Sequence, residues 1–372
     1  VSAVSEDAVR TALHGVLDPE LRRPIDELGM LRSVTVDGGR VTVGVLLTIA
    51  GCPLRSTIEQ DVAAALRTVP GVEEAVVDLD VMTPEQRKEL KDRLRPGRGI
   101  PFSRPDSLTK VFAVASGKGG VGKSSVTVNL ACELAARGLR VGIVDADVHG
   151  FSVPGLLGAT GTPTQVDDMI LPPIAHGVKV ISIGMFVQGN QPVVWRGPML
   201  HRALEQFLGD VYFGDLDVLF LDLPPGTGDV AISVSQLLPN AELLVVTTPQ
   251  AAAAEVAERA GTVSAQTAQR VAGVIENMSG LTLPDGTVMD LFGSGGGQRV
   301  AERLTAALGT PVGLLGQVPL DVALRAGGDA GTPIVLSDPG SPAAVALRAI
   351  ADRLAAQPRH LAGRRLGVTP TV

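Results

Sequence analysis

Val111-Phe112-Ala113-Val114-Ala115-Ser116-Gly117-Lys118-Gly119-Gly120-Val121-Gly122-Lys123-Ser124-Ser125 is the stretch on which the fold turns. Val111–Ala115 is a short apolar run without alternation, the signature of a strand buried on both faces. From Ser124 to Arg137 the pattern becomes helical. Between them, Gly117 to Ser124 matches G-x-x-x-x-G-K-[ST], a glycine-rich turn placed between a strand and a helix. Such a turn points successive backbone N–H groups into one concavity, and the following helix adds its positive end. Gly117, Lys118, Gly119, Gly120, Val121, Gly122, Lys123, Ser124 and Ser125 are therefore read as a cradle for phosphate. Lys123 is expected to reach the β- and γ-phosphates, and the Ser124 hydroxyl to sit on Mg2+. Lys118 is a second cation in a loop that already has one.

Working outward, apolar runs recur at Val141–Val144, Val178–Ile183, Val218–Leu221, Leu243–Thr247, Val271–Ile275 and Val312–Leu315. Helical patterns lie between most of them, including Ala252–Gln269 and Gly297–Leu308. This alternation predicts an α/β fold, a mostly parallel sheet with helices on both faces. Ligands of such sheets bind at the carboxyl ends of the strands.

Two acidic motifs stand at that end. Val144-Asp145-Ala146-Asp147 follows one strand, and Leu221-Asp222-Leu223-Pro224-Pro225-Gly226-Thr227-Gly228-Asp229 follows another. Mg2+ prefers oxygen ligands, with waters held by one or two carboxylates. Ser124, Asp147 and Asp222 are the expected Mg2+ set. Asp147 is also expected to orient an attacking water, with Asp145 organising the metal shell. Asp229 reads equally as a helix cap. Gly226 and Gly228 leave backbone N–H groups able to sense a terminal phosphate, so the segment would move when that phosphate leaves.

Upstream, residues 1–92 read as a small α+β domain. Val9, Leu13, Val16 and Leu17 recur at helical spacing; Asp37-Gly38-Gly39 joins strands Leu31–Val36 and Arg40–Leu47; a helix spans Leu54–Val69; a third strand covers Val72–Val81. Residues 93–109, rich in Pro, Gly and Arg, read as a solvated linker. Residues 110–357 form the α/β domain, and 358–372 a frayed tail.

Composition removes several function classes. Net charge is −7 and aromatic residues are 3% of 372, so neither a broad basic footprint nor a base-stacking platform is expected, and nucleic acid is not a predicted partner. No uncharged apolar run reaches the roughly 18 residues a membrane-spanning helix needs. The first residues lack the basic and apolar regions of a secretory signal. A cytoplasmic protein without membrane partners is expected. Two cysteines, Cys52 and Cys132, cannot build a disulfide framework or a four-cysteine metal site from one chain.

The second lysine, Lys118, resembles the deviant Walker A signature of the MinD/ParA/nitrogenase-reductase ATPases. That resemblance implies a sandwich homodimer in which Lys118 crosses to the partner's nucleotide. The resemblance sharpens when Ser116–Ser125, Val144–Asp147, Trp195-Arg196-Gly197-Pro198-Met199, Leu221–Asp229, Thr247-Thr248-Pro249-Gln250 and Ile275-Glu276-Asn277-Met278-Ser279 are taken in order. Together they resemble the Mrp/ApbC family of P-loop ATPases across nearly all of 108–357. Asp18-Pro19-Glu20-Leu21-Arg22-Arg23-Pro24-Ile25 and Gly51-Cys52-Pro53-Leu54 resemble the iron–sulfur cluster assembly domain often fused to bacterial members. By this resemblance Asn277 reads adenine, Pro319 to Asp321 close over the base, and Lys118, Lys123, Asp145, Asp147 and Asp222 are catalytic. It implies a slow, Mg-dependent, switch-type ATPase. Its expected role is a dimeric scaffold that carries an iron–sulfur cluster to apoproteins, its partners being apo iron–sulfur clients or assembly factors.

The sequence departs from that pattern at one place. Many members carry a Cys-x-x-Cys pair soon after the Glu-Asn-Met-Ser element; here Ser279-Gly280-Leu281-Thr282-Leu283-Pro284-Asp285-Gly286-Thr287 has no cysteine. Cluster sites are normally built from Cys thiolates. Cys132 falls among apolar helix positions and reads as core. Cys52 precedes a helix, a position that lowers thiol pKa, and is the remaining iron–sulfur ligand expected. Two other functions stay open: a nucleotide-gated adaptor without a cluster, and a ParA/MinD-type positioning ATPase.

Overall fold

Two separate hydrophobic patterns become two folding units. The computed structural model of the chain describes residues 4–49, 54–94, 99–147, 150–186, 197–226, 229–250, 269–283 and 285–357. One unit is Val1–Gly99 together with Pro163–Pro172; the other is Ile100–Thr162 together with Pro173–Val372. Cys52, Trp195, Arg196, Gly228, the helical pattern over 252–268 and the tail from 358 lie outside the described residues.

In the first unit, α1 (Glu6–His14) starts where the Ser5 hydroxyl accepts from Ala8 N at 3.2 Å, and it buries Val9 and Leu13. This side-chain oxygen satisfies a donor that a helix start leaves unpaired. β1 (Leu31–Asp37) and β2 (Arg40–Leu47) form the antiparallel pair that Asp37-Gly38-Gly39 announces, with Gly38 at φ 58°. α2 (Arg55–Arg67) buries Ile58, Val62 and Leu66, one face at helical spacing. It carries the chain over to β3 (Glu74–Val81), which runs parallel to β2 in continuous register. α3 (Pro84–Leu94) follows, extending regular structure beyond the third strand.

In the second unit β4 (Lys110–Ala115), α4 (Lys123–Ala136) and β5 (Val141–Asp145) come first, then a short helix, α5 (Val153–Leu156). The chain next makes a hairpin, β6 (Thr164–Val166) and β7 (Met169–Leu171), that belongs to the first unit. It returns as β8 (Ile174–Ala175) and β9 (Val178–Ser182), then α6 (Gly197–Asp210), β10 (Val218–Asp222), α7 (Asp229–Leu237), β11 (Glu242–Thr247), β12 (Val271–Thr282) and β13 (Val288–Met289). α8 (Gly296–Leu308), β14 (Leu314–Leu320), α9 (Val322–Asp329), α10 (Ile334–Ser337) and α11 (Pro342–Ala356) complete it.

The sheet order is β13-β12-β11-β4-β10-β5-β9-β8, with β14 beside β12. All pairings among β4, β5, β9, β10, β11, β12 and β14 are parallel; β8 and β13 are short antiparallel additions. Every residue of β5, β9, β10 and β11 is buried, which is why these strands read as continuous apolar runs. On one face, Phe112, Val114, Phe220 and Ile275 pack with Val126, Leu130 and Leu134 of α4 and Leu347, Ile350 and Leu354 of α11. Phe112 and Phe220 stack at 5.6 Å. The strand order leaves β4 between β10 and β11, so the loop after β4 opens at the middle of the sheet's carboxyl edge.

Candidate functional site

The loop after β4 turns through Gly120 and Gly122, both at φ 76°, a left-handed conformation that glycine adopts without strain. Gly122 caps α4. A Cβ there would lie 2.3 Å from Asn277 Nδ2, so glycine is required by contact as well as by φ. Asn277, on β12, donates this amide to Val121 O at 2.9 Å. The residue expected to read the base therefore also braces the phosphate loop. Val318 of β14 pairs with Asn277, so Pro319 and Asp321 follow directly beside it. Asp321 accepts from Ala323 N at 2.8 Å and caps α9.

α4 begins at Lys123 and projects three functional side chains onto one carboxylate. Lys123 Nζ lies 2.5 Å from Asp222 Oδ2, and both side chains are buried. The Ser124 hydroxyl donates to the same oxygen at 2.5 Å. Thr127, one helical turn after Lys123, donates to Asp222 Oδ1 at 2.9 Å. Sequence reasoning brought together Lys123, Ser124 and Asp222 but missed Thr127. Its signal was the four-residue spacing from Lys123, which puts both on one helix face.

Asp222 and Asp145 end neighbouring strands in register. Asp145 is fully buried and accepts from Asp147 N at 3.2 Å and from the Ser182 hydroxyl at 3.0 Å. Burial first, and the Asp222 charge second, push its carboxyl up to about 7, against the lowering effects of these donors and of Lys123. Asp147 is 8% exposed and accepts from Gly150 N at 3.0 Å. Ser182 was invisible in the sequence, since its place beside Asp145 depends on β9 lying next to β5.

Gly226, in the segment after β10, donates its N–H to Ser116 O at 2.8 Å, so this segment is tied to the phosphate loop through the backbone. Lys118 donates to the side-chain oxygen of Gln250. Glu276 is fully buried and accepts from Gly297 N at 2.5 Å and from Gln317 Nε2 at 2.6 Å. It thereby fastens the start of α8, where a negative group meets the positive end of the helix.

The Ser124 hydroxyl and Asp222 carboxylate converge as hard oxygen donors beside a buried ammonium, a donor set that fits Mg2+. Among the described residues no thiolate joins them. Cys132 is buried and burial pushes its thiol up to about 12, the state of an inert core cysteine. Among the described residues no group of three or more His, Cys, Asp or Glu could hold a metal ion. No helix among them is long and apolar enough to cross a membrane.

Comparison with known proteins agrees with this arrangement. Residues 107–355 match the ParA family model described as NUBPL iron-transfer P-loop NTPase, and residues 6–78 match the iron-sulfur cluster assembly protein family. The iron-sulfur cluster carrier protein of Mycobacterium tuberculosis is 65% identical over 98% of this chain and 97% of its own length. The protein of the same name from Synechocystis is 43% identical over 95% of this chain and 97% of its own. A nucleotide-binding protein from Archaeoglobus fulgidus, solved in complex with ADP, superposes with a TM-score of 0.51 at 34% identity, covering 67% of this chain and 91% of that one. The strand–loop–helix cradle, the in-register carboxylates and the length of the match lead to one assignment: the chain belongs to the ParA family of NUBPL-type iron-transfer P-loop NTPases, with an iron–sulfur cluster assembly domain ahead of it.

Proposed function

We propose that this protein is an ATP-binding and ATP-hydrolysing homodimeric carrier that delivers iron–sulfur clusters to apoproteins in the cytoplasm. The observation that carries the reading is the convergence of Lys123, Ser124 and Thr127 on the buried Asp222 at the mouth of the phosphate loop. The names of the full-length relatives support the cargo.

The backbone N–H groups of Gly117 to Ser125 and the start of α4 would hold the phosphates, with Lys123 leaving Asp222 for the β- and γ-oxygens. Ser124, Asp147 and Asp222 would hold Mg2+, which neutralises charge developing on the phosphate oxygens. Asp147 orients the attacking water, and Asp145 holds Asp147 through its backbone N–H. Asn277 reads the base, and Pro319 to Asp321 close over it. In the homodimer Lys118 leaves Gln250 and reaches the partner's nucleotide. Hydrolysis releases the Gly226 segment and the segment at Asp147, which changes affinity for cargo or client. Turnover is slow without an activating partner.

The cluster is the cargo, and Cys52 is its thiolate, one from each subunit at a dimer interface, with other ligands completing the set. The missing Cys pair favours a second reading, a nucleotide-gated adaptor that binds clients without a cluster. Anaerobic reconstitution with iron and sulfide separates the two. A chromophore lost in Cys52→Ser but kept in Cys132→Ser supports the carrier; iron-free protein that still hydrolyses ATP replaces it with the adaptor. Absence of ATP hydrolysis by the wild type, or its persistence in Lys123→Ala, would remove the ATPase reading.

A further inference from the structure

The first unit contains ten residues that chain order assigns to the nucleotide-binding half, Pro163–Pro172. They form β6 and β7, paired Thr164↔Leu171, Gln165↔Ile170 and Val166↔Met169, with Asp167 in the left-handed region at φ 53° closing the turn. Thr164, Val166, Met169, Ile170 and Leu171 are buried; Gln165, Asp167 and Asp168 are exposed. A two-stranded hairpin alone is marginal in water. Burial of this apolar set is what makes it part of the first unit.

Its polar atoms meet a matching surface. The Thr164 hydroxyl donates to Glu20 Oε1 at 2.6 Å. Glu20 is placed by the turn before it, where Asp18 Oδ1 accepts from Glu20 N and Leu21 N at 3.0 and 2.7 Å. At the hairpin tip, Arg87 Nε lies 3.4 Å from Asp167 Oδ1, and Lys91 pairs with Asp168. Arg87 and Lys91 stand four residues apart on α3 and so present one basic stripe to the acidic tip. Arg87 is itself oriented by donating to Met82 O at 2.9 Å.

Both stalks of the hairpin run back to the carboxylates of the nucleotide site. Upstream, the chain comes from Asp147 through α5, where Val153 and Leu157 are fully buried in the core of the second unit. Downstream it returns to β9, where Val180 N donates to Pro173 O at 3.0 Å. β9 then runs in register with β5 until Ser182 meets Asp145. The upstream stalk is buried in the second unit as far as Leu157, and the downstream one is hydrogen-bonded there from Pro173.

We infer that the Glu20–Arg87–Lys91 face of the N-terminal unit is a docking surface whose occupant is the hairpin Thr164–Leu171 of the same chain. Through this arm the state of the Asp145–Asp147 segment is passed to the N-terminal unit. The inference rests on the reading of that segment as part of an ATP site. It makes the N-terminal domain a controlled element, linked to the nucleotide-binding unit by the two chain segments that flank the hairpin as well as by the connecting chain. Coupling of this kind is reciprocal: the factor by which nucleotide changes hairpin docking is the factor by which docking changes nucleotide affinity.

The test uses the full chain. Affinity for a fluorescent ATP analogue with Mg2+ is measured alongside hydrogen exchange of peptides covering 84–94 and 163–172, with and without ATP. ATP is expected to change exchange in both peptides by about fivefold, the lower end of typical allosteric coupling. Lys91→Asp and Asp168→Lys should each shrink that change, and the exchanged pair Lys91→Asp/Asp168→Lys should restore it. Val166→Asp, which buries a charge under the hairpin, should raise exchange across the first unit and shift ATP affinity by the same factor. If Val166→Asp fails to fold, the exposed ion-pair series still decides. Wild type that binds ATP with no change in either peptide would overturn the coupling and leave the ATPase reading standing. Wild type that binds no ATP would overturn the ATP-site reading, and the coupling with it, and the affinity measurement identifies that case.

Discussion

Asp145 and Asp222 end adjacent parallel strands, stand directly opposite one another and are both fully buried, yet they live in opposite surroundings. Asp222 receives a buried ammonium and two hydroxyls. Asp145 receives one backbone N–H and one hydroxyl, and its carboxyl is pushed up to about 7. The difference comes from which helix follows which strand. α4 springs from the phosphate loop beside β10 and aims its first turn at Asp222, so its cation reaches one carboxylate and only weakly offsets the other. A pair of like charges in one pocket is thus split into one held by a cation and one held near neutrality, the usual way two buried carboxylates share a site.

Removing the cation breaks this division most severely. Lys123→Ala leaves Asp222 buried without its charged partner, and breaking a buried pair from one side costs about 3–5 kcal/mol. Urea unfolding of the nucleotide-free protein should show a loss of that size, and binding of a fluorescent ATP analogue should vanish. Lys123→Ala/Asp222→Asn should recover much of the stability and none of the binding.

The second prediction concerns pH. A raised Asp145 pKa means that the native state binds more protons than the unfolded state between about pH 4 and about pH 7. Stability of the nucleotide-free protein should therefore fall as pH rises through that window and level off above it. The limit is on the order of 4 kcal/mol, about 3 pKa units at 1.36 kcal/mol each. Asp145→Asn should flatten the profile and be the more stable chain at pH 8. A wild-type unfolding midpoint no more pH-dependent over 4–8 than that of Asp145→Asn would show that Asp145 is not held protonated.

Gly122→Ala tests the loop that places Lys123. It adds a Cβ at φ 76° and 2.3 Å from Asn277 Nδ2, and should cost about 2 kcal/mol, from strain and contact together. Asn277→Gly in the same chain should return the contact part and keep the strain part, read by thermal unfolding. The smallest effect is expected for Thr127→Val. It keeps shape but removes one donor from Asp222, worth about 1–2 kcal/mol, with weaker ATP-analogue binding. A Thr127→Val chain as stable as wild type would mean that Lys123 and Ser124 alone satisfy Asp222.

A third region shows no such buried charge pair among its described residues. The end of β12 and the β13 hairpin, where relatives by resemblance carry a cysteine pair, exposes Val288 at 59%, Met289 at 44% and Leu291 at 52%. The phosphate-loop end of the sheet thus gathers a cation, hydroxyls and carboxylates, while the sequence of this edge has no cysteine, which is why the cargo question turns on Cys52.

Much of the site could be read along the chain because its logic is local. Strand, glycine turn and helix follow one another within Val111 to Arg137, so the phosphate loop, Lys123 and Ser124 were legible from spacing. Asp145 and Asp222 were legible because a carboxylate directly after a buried apolar run must sit at the carboxyl edge. Ser182, Gln250 and the brace from Asn277 to Val121 were not. Each depends on a neighbour dozens to more than a hundred residues away, brought close by strand order alone. The hairpin Thr164–Leu171 was missed for a similar reason. Its three-residue strands are too short for a period to register, and they belong to the first unit with residues more than sixty positions away in sequence.

Residue order therefore carried the α/β class, the phosphate cradle and the identity of its charged groups, since short-range sterics and hydrophobic periodicity decide those. Tertiary structure decided which buried carboxylate receives the cation, and which unit owns the hairpin. Electrostatic state and docking depend on distances across the fold, and those distances exist only once the strands have taken their places in the sheet.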